Sequence, residues 1–201
     1  MHASLIKCGS SNIRSVYNWL NHSDYITSVE VVSEFSNTPN SDLVILPGVG
    51  SFKQLSTAIR SSCALNYLED SRAKGKLIIG ICLGAQIMLN GSEEDDSLGD
   101  GLGWINGYVK KINLEHRPIT GWYNSHSFHE SRNMVSFSGC YYHNHNYMMS
   151  PSSESVVACS LQDTNIPSIL IQDNLIALQF HPEKSQAQGN LLLRHIKNLV
   201  L

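Results

Sequence analysis

The sequence predicts an α/β fold: an open, mostly parallel, twisted sheet flanked by helices, with an antiparallel β extension. Three observations predict it. In the first half of the chain, short apolar runs alternate with segments of helical periodicity, as in parallel sheets built from β-α-β units. Two of these runs, 43–46 and 77–81, are apolar throughout, as expected of strands covered on both faces. In the second half, short β-rich runs replace the helical periodicity.

The first half divides into four predicted strands and three predicted helices. The first helix is the clearest, because Ile13, Val16, Tyr17 and Leu20 recur at the spacing of one helix face. The strands are expected at 4–7, 29–32, 43–46 and 77–81, and the helices at 13–20, 52–60 and 64–74.

The second half begins with a polar, acidic stretch, 90–103, which predicts a solvated loop. Strands are then expected at 108–112, 156–159, 168–171 and 175–180. The chain closes with a helix whose apolar positions are Leu191, Leu192, Ile196, Leu199 and Val200. Because no repeat, low-complexity tract or linker interrupts the sequence, residues 1–201 are expected to form a single domain.

Composition excludes several classes of protein. Apolar residues make up 42% of the chain and charged residues 15%, which is typical of a globular protein. The net charge of −3 argues against a nucleic-acid partner, and no apolar run is long enough to span a membrane. The N-terminus lacks the features of a signal peptide, and the five cysteines form no disulfide or zinc pattern. We therefore expect a cytoplasmic protein with free thiols.

The stretch GICLG, residues 80–84, places Cys82 between two glycines where a strand is expected to turn into a helix. Small residues on both sides of a nucleophile permit such a tight turn. The helix N-terminus would favour the thiolate, and the N–H of Leu83 would face the oxyanion of an attacked carbonyl. The alternative is a small core residue at the end of a strand, and the pentapeptide alone does not decide between them.

A cysteine nucleophile needs a base, and His181 has the best context among the nine histidines. The apolar run ending at Phe180 would deliver it to the same sheet edge as Cys82, and Pro182 ends the strand. Glu183 can accept a hydrogen bond from its imidazole. A lone histidine after a strand is more often structural, so this assignment depends on its combination with GICLG.

A third segment, PGVG at 47–50, ends the strand at 43–46 and is expected at the same edge. Such a loop can bring backbone N–H groups to an oxyanion, although alone it would be an ordinary turn.

The segments PGVG, GICLGAQ (80–86) and QFHPEKS (179–185), in that order, resemble the class I (triad) glutamine amidotransferases. Further segments resemble the glutaminase subunits of imidazole glycerol phosphate synthases, a group within that family. These segments lie at 9–16, 46–52, 92–94, 101–103, 121–122 and 145–147. The resemblance thus covers nearly the whole chain and implies a class I glutamine amidotransferase-like fold.

The resemblance implies that Cys82 attacks the carboxamide of glutamine, that His181 moves the proton, and that Glu183 fixes the tautomer of His181. The oxyanion would lie between the N–H of Leu83 and an N–H of the Val49–Gly50 peptide. In this family that peptide turns over under the control of a bound partner.

Five residues match the family's glutamine-binding positions: Gly48, Gln86, Glu94, Asn146 and Tyr147. The implied partner is a (β/α)₈-barrel cyclase that receives ammonia through a sheltered channel and makes imidazole glycerol phosphate in histidine biosynthesis. No cofactor is expected. Asn12, Trp122 and Lys184 are candidates for contacts with the partner.

The sequence departs from the family at Lys7, Cys8, Ser11, Tyr123 and Asn146. These departures bear mainly on the partner-facing surface and on fine control, and they leave the triad segments intact. Lys7, Cys8 and Tyr123 keep open a paralogue that supplies ammonia to a barrel partner in surface-sugar amidine synthesis. Two further alternatives are a stand-alone cysteine hydrolase of γ-glutamyl peptides and a regulatory subunit without catalysis.

Four histidines, His126, His129, His143 and His145, have spacings that can chelate a metal. Matching carboxylates and cysteines are absent nearby in the sequence, and one strand would place 143 and 145 on a single face without a metal. No metal site is therefore predicted.

Overall fold

The computed structural model describes residues 1–35, 39–113, 118–127, 137–154 and 157–200. Two predictions fall partly outside them: Val156 in the strand predicted at 156–159, and His129. The strands are β1 His2–Ile6, β2 Ser28–Val32, β3 Leu43–Gly48, β4 Leu77–Cys82, β5 Gly91–Ser92, β6 Gly107–Lys111, β7 Ile119–Ser127, β8 Gly139–His145, β9 Tyr147–Pro151, β10 Val157–Leu161, β11 Pro167–Gln172 and β12 Leu175–Leu178. The helices are α1 Ile13–Asn21, α2 Phe52–Ser61, α3 Ala64–Ala73, α4 Leu83–Gln86 and α5 Gln186–Val200.

The main sheet has nine strands in the order β2-β1-β3-β4-β12-β11-β10-β7-β8. The strands from β2 to β12 pair in parallel, and those from β11 to β8 pair antiparallel. The predicted fold class, a mostly parallel sheet flanked by helices with an antiparallel extension, is confirmed.

Apolar side chains fill both faces of this sheet. Alternate residues of β3 point to opposite faces, so that Leu43 and Ile45 join one cluster while Val44 and Leu46 join the other. Helices α2 and α3 cover one face, and α1 and α5 cover the other. All residues of β3 and β4 are buried, which explains why both strands read as continuous apolar runs.

The stretch 90–103, predicted to be a solvated loop, differs from that prediction. It contains β5 and a 3₁₀ turn at Glu94–Asp96, and Gly91, Ser92 and Ser97 are buried. Strand β5 pairs with β6 and β6 with β9, in a separate three-stranded sheet that the sequence did not predict. Serine and glycine backbones satisfied by this pairing can be buried despite their polar sequence. In the described part of the chain, no helix has the length and apolar character needed to cross a membrane.

Candidate active site

Cys82 is the last residue of β4 and adopts φ 53° and ψ −110°, a backbone conformation that costs a non-glycine residue about 1–3 kcal/mol. Its neighbours make the turn possible. A Cβ on Gly84 would collide with the carbonyl of Leu46, and one on Gly80 would lie 2.6 Å from the Cα of Ala85. The two glycines therefore permit the close approach of α4 to β3 and β4, which holds Cys82 in a strained strand-to-helix turn.

The PGVG segment lies beside this turn. Gly48 ends β3 in register with Cys82, and a Cβ on Gly48 would lie 2.7 Å from the backbone nitrogen of Gly84. Gly50 has φ +102°, which favours glycine. The N–H of Val49 donates to the carbonyl of Ser10 at 3.1 Å, so it is engaged away from any oxyanion in this conformation.

His181 follows β12, which pairs in parallel with β4. Its backbone is held on both sides. The N–H of His181 donates to the carbonyl of Tyr142 at 2.9 Å, and the Ser185 hydroxyl donates to the carbonyl of His181 at 2.7 Å. The same hydroxyl accepts from the N–H of Tyr142 at 3.1 Å. Strand β8 and the segment 181–185 are thereby tied together.

The side chains of Cys82, His181 and Glu183 meet. The Nδ1 of His181 lies 2.9 Å from Oε1 of Glu183, and the side chains of both residues are buried. The Glu183 carboxylate accepts a hydrogen bond from Nδ1, so the other ring nitrogen, Nε2, is left to interact with the sulfur of Cys82. Burial alone would lower the pKa of His181, but the hydrogen bonds with Cys82 and Glu183, and their charges, raise it to about 9. The ring is therefore favoured in its protonated form beside the sulfur.

Gln86, the last residue of α4, is buried, and its Nε2 donates to the carbonyl of Tyr147 at 3.1 Å and to Oε1 of Gln179 at 3.2 Å. Leu83 begins the same helix directly after Cys82. Tyr147 begins β9, and the exposed Asn146 joins β8 to β9. The structure thus brings Gln86 and Tyr147 into one hydrogen-bonded group.

Glu94 has a structural contact as well. Its Oε2 accepts from the N–H of Phe52 at 2.9 Å, at the first turn of α2. Burial raises the pKa of this carboxyl, the hydrogen bond from Phe52 opposes the shift, and the neighbouring Asp95 adds to it. Glu94 therefore tethers the acidic stretch to the helix that follows PGVG.

Two of the three candidate partner-contact residues meet on one ring. Trp122 is 47% exposed and packs edge-on against Tyr142, with ring centroids 5.9 Å apart. The Nζ of Lys184 lies 5.4 Å from the centroid of the same Tyr142 ring. Asn12 lies immediately before α1, which packs against the Pro182–Lys184 turn.

Three functional candidates were missed in the sequence. Ser185 and Gln179 lie within QFHPEKS, whose pattern drew attention only to the histidine and the glutamate. Tyr142 lies in β8 between two buried residues, and only the alternation of that strand could have marked its partly exposed position.

Three of the four histidines considered as metal ligands, His126, His143 and His145, lie in the described part of the chain. His143 and His145 are buried and bonded to each other, with Nδ1 of His143 at 3.1 Å from Nε2 of His145. His126 lies on β7. Among the residues with described positions, no group of three or more His, Cys, Asp or Glu side chains could hold a metal ion.

Comparison with known proteins shows the family to which the chain belongs. The family described as glutamine amidotransferase class-I matches residues 4–197. A relative from Staphylococcus aureus, imidazole glycerol phosphate synthase subunit HisH, is 37% identical over 94% of this chain and 93% of that protein. A second relative, imidazole glycerol phosphate synthase subunit HisH from Bacillus cytotoxicus, is 31% identical over 98% of this chain and 94% of that protein.

Solved structures with lower sequence identity share the fold. PurLQS from Thermotoga maritima matches 100% of this chain and 99% of its own chain, with a TM-score of 0.79 and 18% identity. The glutaminase domain of Trypanosoma brucei CTPS matches 99% of this chain and 94% of its own chain, with a TM-score of 0.62 and 14% identity. With the family match spanning nearly all of the sequence, the chain belongs to the class I glutamine amidotransferases, enzymes that hydrolyse glutamine.

Proposed function

We propose that this chain is the glutaminase subunit of an imidazole glycerol phosphate synthase, with Cys82, His181 and Glu183 as its catalytic triad. The observation that carries the triad is the buried hydrogen bond between His181 and Glu183 at the carboxyl edge of the sheet, on a ring that also interacts with Cys82. The names of the two HisH relatives support the synthase assignment.

In the first half-reaction, the Cys82 sulfur attacks the carboxamide carbon of glutamine and forms a tetrahedral oxyanion. As the C–N bond breaks, His181 gives its proton to the leaving nitrogen, which departs as ammonia and leaves a γ-glutamyl thioester. The protonated ring is well suited to this step, because its pKa of about 9 keeps the proton available at neutral pH. Glu183 holds the ring through Nδ1, so that Nε2 faces the reacting atoms.

In the second half-reaction, water attacks the thioester carbon and His181 accepts a proton from that water. The C–S bond then breaks, which releases glutamate and regenerates Cys82. Because the same ring gives and takes the proton, its fixed orientation serves both steps.

The oxyanion would be stabilised by the N–H of Leu83 and by an N–H of the loop at Val49 and Gly50. The loop has to move before Val49 can contribute, because its N–H is bonded to the Ser10 carbonyl. We propose that docking of a (β/α)₈-barrel cyclase on the side of Trp122, Lys184 and Asn12 releases this N–H. Hydrolysis would then be fast only when a partner is present to receive the ammonia.

The substrate would be held by Gly48, Gln86, Glu94, Asn146 and Tyr147. Gln86 and Tyr147 already share a hydrogen bond at the end of α4, one helical turn from Cys82. No cofactor or metal is required for any step of the triad chemistry proposed for this site.

The test is an assay of glutamate and ammonia release from glutamine by the purified chain, with and without a barrel cyclase and its nucleotide substrate. We expect slow release alone and a large increase in the complex, abolished by Cys82→Ala but retained by the exposed-thiol variant Cys63→Ala. Full activity without a partner would indicate a stand-alone hydrolase. Activity that survives Cys82→Ala would refute the nucleophile assignment.

A further inference from the structure

The buried pair His143 and His145 forms a hydrogen-bond chain whose direction can be deduced. Nδ1 of His145 lies 2.9 Å from the carbonyl of Tyr147, and a carbonyl only accepts, so this Nδ1 carries the hydrogen. A neutral His145 therefore accepts at Nε2. Nδ1 of His143, 3.1 Å away, must then be the donor. In their neutral forms, both rings are thus protonated on Nδ1.

The surroundings of the pair keep it neutral. Burial, together with repulsion from His145 and His181, lowers the pKa of His143 to about 2. Burial lowers the pKa of His145 to about 4, although its bond to Tyr147 opposes the shift and His181 adds to it. Each ring is consequently favoured in its neutral form at neutral pH.

The chain continues from the Tyr147 carbonyl to the candidate glutamine site. That carbonyl also accepts from Gln86, which identifies the amide atom facing it as Nε2 rather than Oε1. The second contact of Nε2 is Oε1 of Gln179. Both N–H bonds of the Gln86 amide are therefore used within the protein, and only its Oε1, an acceptor, is left to offer a ligand.

This hydrogen-bond chain connects the three segments that form the candidate site. Gln86 lies four residues after Cys82, and Gln179 lies two residues before His181. His143 and His145 belong to β8, the strand whose Tyr142 backbone holds His181. The hydrogen bonds thus run from His143 to His145, from His145 to the Tyr147 carbonyl, and from Gln86 to that same carbonyl.

We propose that His143 and His145 are positioning residues for substrate: through the Tyr147 carbonyl they fix the Gln86 amide so that its Oε1 accepts a hydrogen bond from an ammonium or amide N–H of the bound amino acid. This inference rests on the proposed glutaminase function and adds the orientation of Gln86 and the groups that set it. The two histidines do not touch the reacting atoms.

The test is the steady-state kinetics of His143→Phe in complex with the barrel subunit. Phenylalanine keeps the ring that packs on Phe180, at 5.5 Å between centroids, but removes the Nδ1 donor. We expect KM for glutamine to rise about fivefold, the factor that corresponds to one net hydrogen bond, with kcat changed less than twofold. His143→Asn, which restores an N–H donor, should recover most of the loss.

The matched control is Tyr141→Phe. Tyr141 lies on the same strand, stacks on Phe180 at 3.9 Å, and donates one buried hydrogen bond to the carbonyl of Phe137. Loss of the Tyr141 hydroxyl should leave KM for glutamine unchanged, because Tyr141 is outside the hydrogen-bond chain that leads to Gln86. A rise in KM equal to that of His143→Phe would show a general packing effect and overturn the proposal.

A double-mutant cycle separates positioning from folding. In a Gln86→Met background, His143→Phe should raise KM no further, because its effect acts through Gln86. The same fivefold rise in both backgrounds would overturn the proposal, as would ¹⁵N NMR spectra showing either ring protonated on Nε2. A wild-type complex that hydrolyses no glutamine would refute the proposed function itself, whereas an active wild type with unchanged KM in His143→Phe would refute only this inference.

Discussion

Single residues give the candidate site its chemical character. Cys82 is held in a strained conformation at the end of β4. The pKa of His181 is raised to about 9, because its interactions with Cys82 and Glu183 outweigh the cost of burying the charged ring. Neither effect depends on the partner or on substrate. The raised pKa favours a proton on the candidate base before glutamine binds, whereas the Val49 N–H donates to the Ser10 carbonyl.

Glu183→Gln tests the charge on this ring. The amide can still accept from Nδ1 but cannot favour the imidazolium, so we expect kcat for glutamine hydrolysis to fall roughly 10²–10⁴-fold. The pKa of His181 is raised, so its proton is lost as pH rises through about 9. The alkaline limb of the wild-type kcat profile should lie there and move to lower pH in the variant. An unchanged profile would show that Glu183 does not set the charge of the ring.

The buried histidine pair predicts a loss of stability in acid. The pKa values of His143 and His145 are lowered, so their contribution to stability is complete above the unfolded value of 6.5. It is lost as pH falls from 6.5 to about 4 for His145 and to about 2 for His143. His181 has the opposite sign: its contribution is complete below 6.5 and is lost as pH rises through 9. Stability should therefore be greatest near neutral pH.

Urea unfolding of wild type and His143→Phe between pH 6.5 and 4.5 measures this effect. Near pH 5 the variant should bind about one proton fewer on unfolding, which lowers the slope of unfolding free energy against pH by roughly 1.4 kcal/mol per pH unit. Equal slopes would show that His143 is already charged in the folded protein.

At the scale of elements, the strand-to-helix turn depends on the approach of α4 to β3. Gly84→Ala places a Cβ against the Leu46 carbonyl, which can move only if β3 moves, and we expect a loss of about 3 kcal/mol or more of unfolding free energy. Gly99→Ala is the control, because its Cβ would meet nothing within 4 Å, and it should change stability by less than about 0.5 kcal/mol. Thermal unfolding compares the two, and equal stabilities would contradict this account of the turn.

How far elements could be predicted from the sequence depended on their environment. Strands β3 and β4 were predicted because burial on both faces leaves only apolar residues in them. Strand β7 was not predicted, because five successive residues, from Thr120 to Asn124, are partly or fully exposed and give no apolar run. Such a strand depends on pairing with β8, which local sequence does not encode.

The same distinction applies to the candidate site. The segments holding Cys82 and His181 have local patterns, so their meeting could be predicted from the shared sheet edge. The hydrogen bond from Val49 to Ser10 and the series of hydrogen bonds from His143 to Gln86 join segments that are distant in sequence. The donor and acceptor in each of these hydrogen bonds can be assigned only from the positions of the neighbouring atoms, which the local sequence does not give.

At the scale of the whole molecule, strand β8 contacts both the candidate triad and the candidate docking surface. Its Tyr142 holds His181 through the backbone and contacts Trp122 and Lys184 through the ring. We expect Trp122→Ala to weaken binding of the barrel subunit by about 2 kcal/mol, close to 30-fold in Kd.

Titration calorimetry of the complex measures that loss. Tyr108→Ala is the control, because Tyr108 is similarly exposed at 43% but belongs to the three-stranded sheet. Equal effects of the two substitutions, or none for Trp122, would place the docking surface elsewhere.

The central claim is that the sulfur of Cys82 becomes covalently bonded to substrate. Acid quenching of the complex during turnover, followed by peptide mass spectrometry, tests it most directly. We predict a γ-glutamyl thioester on the peptide that contains Cys82 and on none of the peptides that contain Cys8, Cys63, Cys140 or Cys159. An adduct on another cysteine, or glutamine hydrolysis at full rate with no adduct at Cys82, would contradict the account.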